Sequence, residues 1–201
     1  MAEEEQLLIP SDIYLKSGIH IGTKFRTRYM ENFIYKTRPD GLTVLNLKKI
    51  DERILVAAKL LAQYSPNEIV IAARRENCWK CAKLMGKYTG MRVFAGRYPP
   101  GIMTNPQLEN FIEPKIVFVA DPWPDKNVVD DANNIGIPVI ALCDTNNQTN
   151  DVDLVVPCNN KGKKSLGLIF WLITREFLKA KGIISSNEDF KPPLEEFASE
   201  D

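Results

Sequence analysis

"KIVFVADPWPDKNVVDDANNIGIPVIALCD", residues 115–144, holds a strand, a helix and a second strand in order. KIVFVAD (115–121) is a near-continuous apolar run, the pattern of a strand covered on both faces. Pro122 and Pro124 end it, and Asp125 is placed to cap a helix over 126–135 that Gly136 closes. IPVIALCD (137–144) is the next strand. A strand returned through a helix implies a right-handed crossover and parallel pairing.

The same alternation runs outward in both directions. EIVIAA (68–73) reads as a buried strand, 77–88 as a helix ended by Gly90, and MRVFA (91–95) as a strand. DLVVP (153–157) is a short last strand. Residues 163–180 form a long apolar helix, with Leu166, Ile169, Phe170, Ile173 and Phe177 spaced at three and four. Toward the N-terminus, LTVLN (42–46) reads as a strand. KKIDERILVAAKLLAQY (48–64) reads as a helix capped by Asn46, with Ile50, Ile54, Leu55, Ala58, Leu61 and Ala62 on one face. A first short helix is expected to be capped by Ser11 or Asp12 and to end at Gly18. The fold class is α/β: a three-layer, mainly parallel sheet with helices on both faces, flavodoxin-like or Rossmann-like. One α/β domain is expected over 11–183. An acidic arm (1–10) precedes it, and an acidic, Pro-containing tail (184–201) follows, without fixed structure when alone.

Of the 201 residues, 26 are Lys or Arg and 26 are Asp or Glu, so the net charge is zero. The charges are not evenly spread. Residues 16–97 carry 17 bases against six acids, and 101–157 carry two bases against nine acids. That segregation allows one strongly positive face. No apolar run is long enough to cross a membrane. The start, Met1-Ala2-Glu3-Glu4-Glu5, lacks the basic and apolar regions of a signal peptide, so a cytoplasmic location is expected.

Catalytic signatures are scarce. His20 is the one histidine, and no G-x-S-x-G, Walker loop or strand-linked G-x-G-x-x-G occurs. Asp121 and Asp125 are spaced to meet Mg²⁺, but a strand stop and a helix cap account for them more simply. Cys78 and Cys81 form C-x-x-C inside a predicted helix, which suits packed cysteines better than zinc or redox chemistry. No catalytic residue, metal or cofactor is assigned.

Bases and aromatics instead point to RNA. Lys24, Arg26, Arg28, Lys36 and Arg38 are interleaved with Phe25, Tyr29, Phe33 and Tyr35. Guanidinium groups meet phosphates, and flat rings stack on splayed bases. CNNKGKKS (158–165) sets Asn159, Asn160, Lys161, Lys163 and Lys164 before a helix start, whose free N–H groups favour an anion. GRYPPGIMTN (96–105) presents Arg97 and Asn105 on a loop stiffened by Pro99-Pro100. These twelve residues are the candidate RNA-binding set. The alternative is a small-molecule or enzymatic domain holding a phosphosugar in DTNNQTND (144–151) and CNNKGKKS.

HIGTK (20–24), DGLTVLNLKKI (40–50), GRYPPGIMTN (96–105), DPWPDKNVVDDANNIGIPVIALCDTN (121–146) and VPCNNKGKKSLGLIFWLITRE (156–176) stand in an order that resembles the small-subunit ribosomal protein two family. The resemblance is closest to its archaeal and eukaryotic branch, which includes the laminin-receptor precursor, and runs from about residue 8 to 183. It implies a structural, non-enzymatic component of the small ribosomal subunit in the cytoplasm. It implies ribosomal RNA and neighbouring ribosomal proteins as partners, and no small-molecule substrate. The helical hairpin that bacterial members insert after the second strand region is missing, since 46–68 holds a single helix.

Overall fold

The structure, a computed structural model, describes residues 7–198. Five strands form a parallel sheet: β3 (Ile69–Ala73), β4 (Arg92–Ala95), β5 (Ile116–Val119), β6 (Val139–Cys143) and β7 (Leu154–Pro157), in the order β4-β3-β5-β6-β7. This is the flavodoxin-like order, and every pairing is parallel. The strands read as unbroken apolar runs because both faces are covered. Ile71, Phe118, Ile140 and Val156 face one core, and Val70, Val117, Val119 and Ala141 face the other.

The first core lies under α2 (Leu47–Leu61), α3 (Glu76–Thr89) and α5 (Lys163–Ala180), with the short α1 (Ser11–Ser17) at its margin. Asn46 caps α2 as expected, its side chain accepting from Lys48 N. α5 packs between α2 and α3 and is buried nearly all round from Ser165 to Leu178. The second core is thinner. It is closed by α4 (Lys126–Asn134) and by Tyr98, Ile102, Met103 and Ile112 from the long β4–β5 connection.

The structure corrects four details. The segment around 42–46 is β2 (Thr43–Leu45), and it leaves the parallel sheet to pair antiparallel with β1 (Ile34–Thr37). The link between them is far too short for a parallel crossover. α1 has Pro10 at its N-cap and no side-chain cap, so neither Ser11 nor Asp12 serves. Asp125 is the N-cap residue of α4, but its carboxylate does not bond its own helix. Packing also continues beyond both ends drawn for the domain. Leu7, Leu8 and Ile9 lie against the first core, and Leu8 N donates to Asp51 Oδ2. At the other end α6 (Leu194–Ala198) docks on α5, burying Phe197, while Phe190 is buried beside Trp171 and Tyr88. Trp171 Nε1 donates to Pro192 O at 2.9 Å. Composition averages over the acids and misses the spaced aromatics that pack. Glu3–Glu5 and residues 199–201 lie outside the described residues.

The α5–α6 contact depends on Gly167. A Cβ there would stand 2.7 Å from both Ala198 Cα and Phe197 O, which are backbone atoms and cannot swing aside. Gly167→Ala gains helix propensity of roughly 1 kcal/mol and forfeits the close approach. Global stability should therefore change little while α6 lifts away. Limited proteolysis should cut residues 185–198 faster in the variant, and unchanged protection would show that α6 does not need the glycine.

Candidate nucleic-acid interface

In this strand order the crevice at the carboxyl ends of β3 and β5 is where such folds commonly receive a ligand. Here side chains of the chain itself fill it. Arg75, just after β3, bonds Asp121, just after β5, through Nε at 2.7 Å and Nη2 at 2.6 Å. The other Asp121 oxygen accepts from Trp123 N at 3.1 Å and Asn147 Nδ2 at 3.0 Å. Asn147 Oδ1 in turn accepts from Asp144 N at 2.7 Å and Asn160 Nδ2 at 3.1 Å. Lys161 closes the chain of bonds, reaching Asp144 Oδ2 at 2.9 Å and Asn146 Oδ1 at 3.1 Å. The loops that could have held a phosphosugar thus turn their polar groups on one another.

This network carries a second layer. Thr145 O accepts from Thr27 N, and Thr145 Oγ1 accepts from Thr23 N and donates to Phe25 O. Thr27 Oγ1 donates to Asn147 O at 2.7 Å. Gly22 is required where the segment passes, because a Cβ would overlap Thr145 Cγ2. The backbone of 22–27 is therefore bound to the β6 end, the Thr23 and Thr27 hydroxyls face inward with it, and the side chains of Lys24, Phe25 and Arg26 are left exposed. Lys24, Arg26 and Arg28 are exposed with no ion-pair partner among the described residues, and Phe25 is 80% exposed.

The twelve sequence candidates fall into separate groups. Lys24, Arg26 and Arg28 share this rim. Lys163 and Lys164 open α5 and are exposed. Asn160 is wholly buried, donating to Leu142 O and Asn147. Asn159 builds its own turn, with Oδ1 accepting from Lys161 N and Gly162 N. Lys161 is held by Asp144, so only Lys163 and Lys164 of that loop are free cations. Lys36 and Arg38 sit on the β1–β2 hairpin, beside an apolar groove of about 710 Å³ lined by Leu15, His20, Ile21 and Tyr35. Arg38 pairs with Asp40 at 3.3 Å. Arg97 is exposed and unpaired among the described residues, whereas the rest of its loop is a lid on the second core. Tyr98 OH and Gly101 N both donate to Asp131 Oδ2, which sets that lid. Asn105 is exposed, its Oδ1 accepting from Gln107 N.

Thr145, Asn147 and Arg75 carry no signal in the sequence, because their partners lie far away in the chain. Trp123 does carry one that is easily passed over: its two flanking prolines mark a residue held out in a turn. The four cysteines are buried, and burial pushes the Cys81 thiol up to about 12 and the other three higher still. Such thiols stay protonated and inert. Among the described residues no three His, Cys, Asp or Glu gather to hold a metal ion, and no helix is long and apolar enough to cross a membrane.

The chain is similar to known proteins over nearly its whole length. Residues 108–180 match the family model described as ribosomal protein S2. The chain is 46% identical over 190 residues to the small ribosomal subunit protein uS2 of Nanoarchaeum equitans, covering 94% of each chain. It is 44% identical to the uS2 protein of Picrophilus torridus, covering 96% of this chain and 97% of that one. To the uS2 protein of Ignicoccus hospitalis it is 46% identical, covering 96% and 92%.

One carboxylate on the rim is left incomplete. Asp125 is buried; Oδ2 accepts from Arg74 N at 3.2 Å, and Oδ1 has no partner. Burial raises its pKa from 3.8 to about 6, against the pull of the Arg74 N–H. A carboxyl that holds its proton more tightly when folded favours folding at low pH, and that contribution is lost as pH rises from about 4 to about 6. The charged form then costs the fold on the order of 3 kcal/mol. Asp125→Asn should be more stable than the parent at pH 7.5, with the gap closing toward pH 4. Urea unfolding of both proteins across that range measures it, and parallel pH profiles would refute the assignment.

Proposed function

Because the chain belongs to the ribosomal protein S2 family, we propose that it works as a structural, non-enzymatic component of the small ribosomal subunit, in the cytoplasm, holding ribosomal RNA on the carboxyl-end rim of its sheet and touching neighbouring ribosomal proteins. The observation that carries this reading is the pinned segment 22–27. Its backbone is anchored by Thr145 and Asn147, so Lys24, Arg26 and Arg28 are presented from a rigid base without partners of their own. Little backbone ordering entropy remains for phosphate binding to overcome. Each guanidinium offers a planar fork that suits a phosphate. Lys163 and Lys164 extend the set at the start of α5, where free backbone N–H groups add partial positive charge. Arg97 is a further phosphate contact from the lid, and Lys36 and Arg38 serve a separate contact on the hairpin.

Three sets of substitutions separate RNA binding from structure. Changing Lys24, Arg26 and Arg28 together to Gln should leave the fold intact and weaken incorporation into the small subunit. It should also flatten the salt dependence of binding to a small-subunit RNA fragment, by roughly 0.7 to 0.9 in log–log slope for each phosphate no longer neutralised. Lys163→Gln with Lys164→Gln should act in the same direction. Lys161→Gln should instead cost stability, roughly 1–3 kcal/mol, because it strands the buried Asp144 carboxylate. That is less than for a fully buried pair, since the Lys161 side chain is 38% exposed. Normal incorporation and an unchanged salt slope in the folded triple variant would remove this rim from the interface.

A further inference from the structure

Trp123 is 73% exposed, and it stands at the mouth of a cavity of about 480 Å³ between the start of α4 and the 146–152 loop. An exposed indole beside a cavity offers a flat face on which another ring can stack. Its backbone is not free to retract it, since Trp123 N is bonded to the buried Asp121 carboxylate. Pro122 and Pro124 stiffen the turn on either side. Val129 and Val152 give the cavity apolar walls.

The polar lining supplies both kinds of hydrogen-bonding group. Lys126, Gln148 and the Trp123 indole N–H are donors with no partner among the described residues. Asp151 adds carboxylate oxygens, one of which accepts from Asn150 Nδ2 at 3.3 Å while the other is unengaged among the described residues, whereas Asn146 Oδ1 is already held by Lys161. An aromatic face, apolar walls and mixed donors and acceptors at one edge match a flat heteroaromatic ring with polar edges. A phosphate would find a single lysine here and Asp151 opposing it. The pinned segment that presents Lys24 and Arg26, with Arg28 just after it, is bonded to the same 145–147 turn whose Asn146 and Asn147 line the cavity. A strand whose phosphates lie on those bases can turn one base across the turn onto the indole.

We propose that this cavity receives one unpaired RNA base stacked on Trp123, with Gln148 and Asp151 reading its edge. A purine is the preferred occupant, because its two rings cover more of the indole and adenine or guanine supplies an amino group for Asp151. The inference rests on the reading that this rim meets RNA, but it assigns a base rather than a phosphate contact.

The test compares affinities of the whole chain for short oligoadenylate, oligouridylate and an RNA duplex of equal length, at fixed salt. The parent should bind oligoadenylate better than oligouridylate. Trp123→Ala should weaken oligoadenylate binding by about 5- to 150-fold, the range for removal of one base–aromatic stack. Trp123→Phe should recover most of it. Duplex binding and its salt slope should be the same in all three proteins, because they depend on phosphates. Equal weakening on duplex and single strand would overturn the base assignment while leaving the phosphate rim in place. An unchanged oligoadenylate affinity with impaired subunit incorporation would overturn it too, and would make Trp123 a protein contact. If the parent binds none of the three RNAs, the RNA reading of the rim itself fails.

Discussion

The Asp121 carboxylate is the point on which the functional edge of the molecule depends. It ends β5, and its donors come from three other places: Arg75 at the start of α3, the Trp123 turn, and Asn147 beyond β6. A buried carboxylate with every oxygen satisfied can hold these segments in one arrangement, whereas the same group with a donor removed would leave a charge stranded in a poorly solvated place. The ion pair with Arg75 also occupies the crevice between β3 and β5. A fold that often keeps that space for a cofactor here uses it to lock its own loops. The outer surface, not the crevice, is then what remains for a partner.

Rigidity at the rim is supplied from below by the two cores. α5 is buried on nearly all sides, so the loop before it has a fixed base. The second core is closed partly by a helix and partly by the Tyr98–Ile112 lid, with Asp131 accepting from both Tyr98 and Gly101. The stiff prolines of that lid therefore serve packing first, and Arg97 is a passenger that the lid holds in solvent.

The sheet is legible from sequence because strands buried on both faces appear as plain apolar runs, and Gly18, Gly90 and Gly136 adopt the positive φ that ends a helix or turn. The helix over 163–180 is legible to the residue. The hairpin is not, because a three-residue strand carries no sign of its partner. The RNA set is legible as chemistry but not as geometry. Lys24 and Lys161 look alike in sequence, and only the fold shows that one is free and the other neutralises Asp144. Asn160 stands out for its polarity, yet that polarity is used inside the protein. The acids of the tail suggest a loose end, while Phe190 and Phe197 decide where it lies.

The bond between Thr23 N and Thr145 Oγ1 joins residues 122 apart in the chain. It has a bearing on the order of events when the protein is made. Closing a loop of that span costs more chain entropy than any pairing of neighbouring strands. Without that bond the backbone carrying Lys24, Arg26 and Arg28 loses its tie to the β6 end. Once the threonines meet, the same charges become a template of fixed spacing. The fixed spacing of these three cations is thus tied to completion of the sheet, and a chain that ends before residue 145 cannot have it.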